Sequence, residues 1–383
     1  MKLRLIYIVL LFVFAVHILV AFTPLNHTVF DECYYVPAAR DMLTGVASNI
    51  EHPPLAKLFM GVSVALFGDG WFAWRLPSVL FSVMATWFIY KIACRFLSEK
   101  LSLFSAVLMS CSTIFLLTGS AGILDMPMLA LSLAAVYYGL QSRFFVSGVL
   151  FGAALLCKEL AVLVLVAFLV YLLSERVHLK KLLLLVGVAG VLFVGGLWIY
   201  DLAYLPTVGG YTVTDPVNHA WIIVKYQLRL NAIRAPVEAA FYPPVSWVSP
   251  FGPNSFNPLA WYWAVYGSEL LIQWAAQPNV FVEYLMFPLL LVLPFFVWKR
   301  QGVLAKFVWL WLACTFLPWL FASVFVRMEA NFYVVYSVPA LALGAAYLYS
   351  LLKCSRMRYL LALLHLVGAG GMFLYYFPYI LFR

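Results

Sequence analysis

Of the 383 residues, 66% are hydrophobic and only 10% charged, with a mean hydropathy of +0.99. A water-soluble domain is about 45–50% apolar and about 25% charged, so this chain cannot hide its apolar surface from water and reads as an all-α polytopic membrane protein. The net charge of +9 comes from basic residues scattered between apolar runs; that pattern signals membrane topology and argues against a nucleic-acid partner.

In chain order, the apolar runs predict eleven spans: 4–22, 76–97, 101–119, 123–140, 144–157, 159–174, 181–200, 280–298, 303–325, 332–351 and 358–378. Each is measured against the roughly 20 residues a helix needs to cross lipid. The first has a basic start but no small-x-small cleavage site, so it reads as a retained span, not a signal peptide. Leu55–Phe67 is apolar yet too short to cross; bounded by Pro-Pro and Gly-Asp-Gly, it reads as an interfacial or re-entrant helix. Two loops are long, 23–75 and 201–279. The second is rich in Pro, Trp, Tyr and Asn, which argues for a folded surface at the headgroup level. No internal repeat is visible, and the chain reads as one transmembrane domain over 1–383, with no separate soluble domain.

The charges orient this map. With the N-terminus in the cytoplasm, the cytoplasmic ends and loops carry 15 of the 24 basic residues and 2 of the 15 acids. The basic asymmetry follows the positive-inside rule. The acids contribute little to that rule, so 13 of 15 carboxylates on the other side point to a working face. The chain is therefore expected in the cell membrane or the endoplasmic reticulum membrane, with its site extracytoplasmic.

Charged residues from distant segments reach that face: Asp31-Glu32 after the first span, Arg75 before the second, Asp125, Lys158-Glu159 and Arg327-Met-Glu329. Ionisable groups at membrane depth are costly and are functional candidates by default. A carboxylate beside cations suits a phosphate leaving group and an acceptor hydroxyl: the carboxylate takes the hydroxyl proton and the cations offset charge growing on the phosphate. Simpler readings stand beside this one. His52 before Pro-Pro reads equally as a turn residue, and Asp125 two residues before Pro127 reads as a helix start. Asp31, Glu51 and Asp125 are candidate ligands for a divalent metal, although their spacing is not diagnostic. Asn26-His27-Thr28 is a glycosylation sequon close to the membrane. The six cysteines show no metal or redox spacing; a Cys33–Cys157 disulfide is open, with free thiols the favoured state.

The motifs FDECYYVPAARDM, EHPPLAKL, FAWRLPSVLF, GILDMPM and NFYVVYSVPALAL, in this order, resemble the dolichyl-phosphate-mannose protein mannosyltransferase (PMT-like) family, and are similar to the related lipid A aminoarabinose transferases of the GT-C fold. The resemblance implies an inverting glycosyltransferase moving a sugar, mannose foremost, from a polyprenyl- or dolichyl-phosphate donor to a hydroxyl on protein, lipid or glycan. It further implies Asp31 as the catalytic carboxylate with Glu32 beside it. Glu51, His52 and Lys57 match the second loop motif, Arg75 the arginine before the second span, and Asp125 the acid of the next outer turn. Lys158 sits where related enzymes carry a lysine, in the divergent context Cys-Lys-Glu-Leu. Arg75, Lys158 and Arg327 are the cations expected to meet the donor phosphate. Two other classes compete: a lipid or ion-coupled transporter, which places its charges near the midplane, and a non-catalytic subunit of a glycosylation complex.

Overall fold

The computed structural model describes residues 5–24, 27–208, 211–229, 260–266, 269–299, 302–324 and 331–381. Arg327 and Asn26 lie outside them. Every expected span has a helix. In chain order these are α1 Leu5–Ala21, α4 Trp71–Ala93, the pair α5 Glu99–Ser110 and α6 Thr113–Ser120, α7 Asp125–Leu140, α8 Phe144–Cys157, α9 Ala161–Ser174, α10 Leu179–Tyr204, α12 Met286–Trp298, α13 Val303–Val324, α14 Val338–Ser350 and α15 Ser355–Leu381. Among the described residues, four helices are long and apolar enough to cross a membrane alone, and five if the bent pair α5–α6 is one span; the other apolar helices are shorter. The pair bends by 67° at a two-residue break, where the Ser112 hydroxyl caps α6 by accepting from the Phe115 amide.

Two short helices lie in the first long loop, α2 Glu32–Leu43 and α3 Leu55–Phe67. The second matches the apolar segment too short to span. In the second long loop, helix α11 Pro216–Arg229 is joined by two small antiparallel ribbons. Strands β1 Thr207–Val208 and β2 Tyr211–Thr212 form one; β3 Ala260–Tyr266 and β4 Glu269–Ala276 form the other, with Ala260 opposite Ala276 and Tyr266 opposite Glu269. The expectation of an all-helical chain missed these strands. Their aromatic and branched residues favour a pleated, half-buried surface, and the run is too short for a span.

The helices pack through small residues. A Cβ on Gly148 would sit 2.7 Å from the Leu185 carbonyl oxygen, and one on Gly152 2.7 Å from the Leu192 Cβ, so α8 and α10 meet nearly backbone to backbone, as lipid-solvated helices do. At the bend, Glu283 accepts from the Ser112 hydroxyl at 2.6 Å and from the Asn279 amide at 2.8 Å. The Asn279 side chain reaches the carbonyls of Cys111 and Ala369, both at 2.9 Å. This buried polar knot fixes the α5–α6 turn against the start of α12 and against α15. All six cysteines are free; Cys33 is exposed and Cys157 buried, and the two are unpaired.

Candidate active site

The site is assembled at the junction of α1, α2, α4 and α7. Glu32 and Arg75 form its buried base, both with 0% side-chain exposure. Arg75 Nε donates to Glu32 Oε1 at 2.8 Å and Nη2 to Oε2 at 2.9 Å. Nη1 donates to the carbonyls of Ala21 and Pro24 at 2.8 and 3.1 Å, and Nη2 also to that of His27 at 2.9 Å. A guanidinium has five N–H groups, and all five are engaged. Glu32 accepts further from the amides of Val29 at 2.8 Å and Gly122 at 2.6 Å. Gly122 must lack a side chain to come this close, since a Cβ there would lie 2.7 Å from the Trp74 carbonyl oxygen. The Trp274 ring covers the guanidinium at 5.3 Å.

This arrangement corrects two expectations. Arg75 has no N–H left for a donor phosphate, and Glu32 has no oxygen turned toward a substrate. They tie the end of α1 and the start of α2 to α4 and the α6–α7 turn. Lys57 is corrected on the same ground: it is fully buried, and its ammonium is held by the Asn49 carbonyl, the Asn49 side chain at 3.4 Å and the His52 carbonyl at 2.9 Å. It folds the turn 49–52. Glu51 belongs to the same turn, accepting from the Asn49 side-chain amide at 2.9 Å.

Asp31 differs from its neighbour. It is partly exposed, and no donor among the described residues contacts its carboxylate. Burial of its surroundings is the main cause that pushes its pKa up to about 6; Lys158 and His52 pull it down and Asp125 pushes it up. Those three residues are thus close enough to share one electrostatic environment with it. Asp125 opens α7 and is held by Lys158, whose Nζ lies 2.7 Å from Oδ1, with both side chains nearly fully buried. The Tyr336 hydroxyl donates to the same oxygen, while Asp125 Oδ2 is buried without a partner among the described residues. Lys158 also lies 5.2 Å from the centres of the Phe332 and Tyr333 rings. His52 Nδ1 stands 3.5 Å from Glu159 Oε2, and its ring meets Tyr35 and Tyr226 edge-on at 5.6 and 5.5 Å.

Asp31, His52, Asp125 and Lys158, from four segments, therefore share one electrostatic environment. Among the described residues, no three His, Cys, Asp or Glu side chains are placed to hold a metal ion. The Lys158 ammonium occupies the position beside Asp125 that a cation would take, so the donor set does not fit a shared ion on Asp31, Glu51 and Asp125. Asp201 and His219 were not expected. Asp201 follows Gly-Gly-Leu-Trp-Ile-Tyr at the end of an apolar helix; a lone acid in that position was the available signal. Tyr336 and Tyr226 gave none, among 23 tyrosines.

Solved structures of other membrane proteins share this fold. The structure resembles the protein O-mannosyltransferase Pmt1-Pmt2 complex of S. cerevisiae bound to the sugar donor, with a TM-score of 0.72 at 12% identity over 97% of this chain and 90% of that one. It also resembles ArnT from Cupriavidus metallidurans bound to undecaprenyl phosphate, with a TM-score of 0.64 at 16% identity over 96% of this chain and 63% of that one. Residues 51–200 match the sequence model of the dolichyl-phosphate-mannose-protein mannosyltransferase family. A polyprenol-phosphate-mannose–protein mannosyltransferase of Mycobacterium tuberculosis is 30% identical over 105 residues, spanning 25% of this chain and 20% of the relative. The chain is thus an integral membrane protein by its apolar helices, similar in fold to Pmt1-Pmt2 and ArnT and, over residues 51–200, similar in sequence to the dolichyl-phosphate-mannose-protein mannosyltransferases. Asp31 precedes the matched segment, so its assignment rests on the geometry.

Proposed function

We propose that the protein is an inverting glycosyltransferase that moves a sugar, mannose by its relatives' names, from a polyprenyl- or dolichyl-phosphate donor to an acceptor hydroxyl of a protein, lipid or glycan at the extracytoplasmic face. The observation that carries this is the contrast at residues 31 and 32. Among the described residues no donor contacts the Asp31 carboxylate, while both oxygens of the adjacent Glu32 and all five N–H groups of Arg75 are engaged.

Asp31 takes the proton of the acceptor hydroxyl as its oxygen attacks the anomeric carbon. The new C–O bond forms opposite the sugar–phosphate bond, which breaks with its electron pair left on the phosphate. A base with a pKa near 6 is largely ionised at neutral pH yet basic enough to accept a proton in the transition state. Lys158 is the described cation that acts most strongly on Asp31, and its charge offsets the anion that develops as the phosphate departs. Arg327 is a second candidate for that contact. The placement of 13 of 15 acids on one side of the sequence map supports the extracytoplasmic assignment.

Transporters hold their charges near the midplane, whereas these acids stand at helix starts and in the first long loop. Purified protein in detergent or vesicles, given radiolabelled polyprenyl-phosphate sugars and candidate acceptors, is expected to transfer label from at least one donor. Asp31→Asn is expected to abolish that transfer without loss of folded protein. No transfer from any donor, or undiminished transfer by Asp31→Asn, overturns the proposal.

A further inference from the structure

Asp201 lies in the last turn of α10 and His219 in the first turn of α11; both are fully buried. His219 Nδ1 is 2.6 Å from Asp201 Oδ1, and Nε2 is 2.9 Å from the Ile50 carbonyl oxygen. A carbonyl oxygen only accepts, so Nε2 carries a hydrogen. A neutral imidazole has one N–H; with it on Nε2, the Nδ1 lone pair would face a carboxylate lone pair at 2.6 Å. The contact therefore holds a second proton, shared between imidazole and carboxyl. The pair is neutral overall and makes directed bonds at both nitrogens, which suits a buried fastening.

What it fastens lies beside the candidate active site. Ile50 immediately precedes Glu51 and His52. From His219, the same face of α11 runs through Ile223, Tyr226 and Gln227, at spacings of four, seven and eight residues. Ile223 is buried. The Tyr226 ring meets His52 at 5.5 Å, and the Gln227 side-chain amide donates to Glu159 Oε1 at 2.8 Å. Glu51, Asp31 and Glu159 all act electrostatically on the Tyr226 hydroxyl. One end of α11 is thus pinned to the first loop at Ile50, and its other end reaches the surroundings of Asp31.

We propose that Asp201 and His219 are a positioning pair for the transfer reaction: they clamp α11 of the second loop across the first loop, so that Tyr226 and Gln227 form one wall of the Asp31 pocket. The catalytic part rests on the glycosyltransferase reading above; the clamp itself does not.

Substitutions separate the two bonds. His219→Gln can place an amide N–H near Nε2 and keep the Ile50 bond while losing Asp201. His219→Asn can reach Asp201 but not Ile50. Asp201→Asn donates to Nδ1 of a neutral His219 and keeps both. Hydrogen exchange of segments 49–52 and 216–229 in the purified full chain reads the clamp without any substrate; transfer assays read its consequence. Asp201→Ala and His219→Asn are expected to speed exchange in both segments about tenfold or more and to lower kcat/KM for transfer about tenfold. Asp201→Asn should stay within about threefold of the unmodified protein in both, and His219→Gln should retain more transfer than His219→Asn at equal thermal stability. Unchanged exchange in His219→Asn and Asp201→Ala overturns the clamp. Faster exchange with unchanged transfer overturns the positioning role, as does a loss of transfer that follows thermal stability alone across all four variants. If the unmodified protein transfers no sugar, the glycosyltransferase reading falls together with the positioning role, and exchange still decides the clamp.

Discussion

Asp31 and Glu32 are consecutive residues, and the fold gives them opposite fates. Glu32 turns inward, where each oxygen receives one guanidinium N–H and one backbone amide, and no solvent reaches it. Asp31 turns to the partly exposed side, with no donor among the described residues on its carboxylate and with charged neighbours, His52, Asp125 and Lys158, that come from three other segments. The Glu32–Arg75 region has every valence closed; in the Asp31–Asp125–Lys158 region, no donor among the described residues meets the Asp31 carboxylate or Asp125 Oδ2. A closed network of buried charge can hold backbone segments together but has nothing left to offer a substrate. Open valences beside a buried cation are destabilising for the free protein and are retained where chemistry needs them. Charge, burial and motif alone cannot separate the two; the count of unused donors and acceptors can.

The sharpest way to break this contrast is to open the closed pair. Glu32→Ala or Arg75→Ala leaves a buried charge without its partner, which costs about 3–5 kcal/mol. Both variants should therefore be poorly recovered as folded protein, with a large fall in thermal stability in detergent. Arg75→Lys should also be destabilised, since an ammonium offers three donors where five are used. The fraction that folds should bind donor with unchanged KM. A raised donor KM with normal stability in Arg75→Lys would place Arg75 back at the phosphate.

Asp31→Asn tests the open side. It removes no internal hydrogen bond, so thermal stability should hold or rise slightly. Loss of a general base typically lowers turnover by about 10²–10⁴. Donor KM should change little, because the effect falls on proton removal.

The same contrast explains how far the sequence could be read. Composition and apolar run length placed a helix at each expected run, although among the described residues only four helices, or five with the bent pair α5–α6, are long and apolar enough to cross a membrane. The charges between the apolar runs were legible as candidates, and Asp31, His52, Asp125 and Lys158 act on one another electrostatically. Their roles were not legible. Arg75 and Lys57 carry the same charge in similar motifs as a phosphate-binding residue would, and only three-dimensional placement shows the carbonyls of Ala21, Pro24, His27, Asn49 and His52 consuming their N–H groups. Backbone carbonyls leave no trace in sequence. The His219–Ile50 contact was hidden for the same reason, across a separation of 169 residues. The β3–β4 ribbon was obscured because aromatic residues at a membrane surface serve an interfacial belt and a strand equally well.

Arg327 lies outside the described residues and offers a smaller test of the open side. A charge-assisted bond to phosphate is worth about 1.5–3 kcal/mol, so Arg327→Ala should raise donor KM roughly 10- to 150-fold if that bond persists in ground and transition states alike. Unchanged donor titration would leave Lys158 as the cation on which the phosphate proposal rests.

The finest test concerns pH. The base works only when ionised, so with Asp31 at about 6, kcat/KM should be flat above neutrality and fall on the acid side with a midpoint near that value. At one pH unit below the midpoint, the ionised fraction is about one in eleven, so the rate should be roughly tenfold below its plateau. Neighbouring charges should move that midpoint in opposite directions. Asp125→Asn removes an anion that disfavours ionisation of Asp31, so the midpoint should fall and activity should extend to lower pH. Lys158→Met removes the cation that favours ionisation, so the midpoint should rise, alongside the stability loss of an unpaired buried Asp125. The double variant Asp125→Asn with Lys158→Met removes both charges and relieves the unpaired one, so its midpoint should lie between those of the single variants. Shifts of this pattern would show that Asp31 titrates inside the field of the Asp125–Lys158 pair. A midpoint unmoved by either single variant would separate Asp31 from that pair and dissolve the open region into unrelated helix ends.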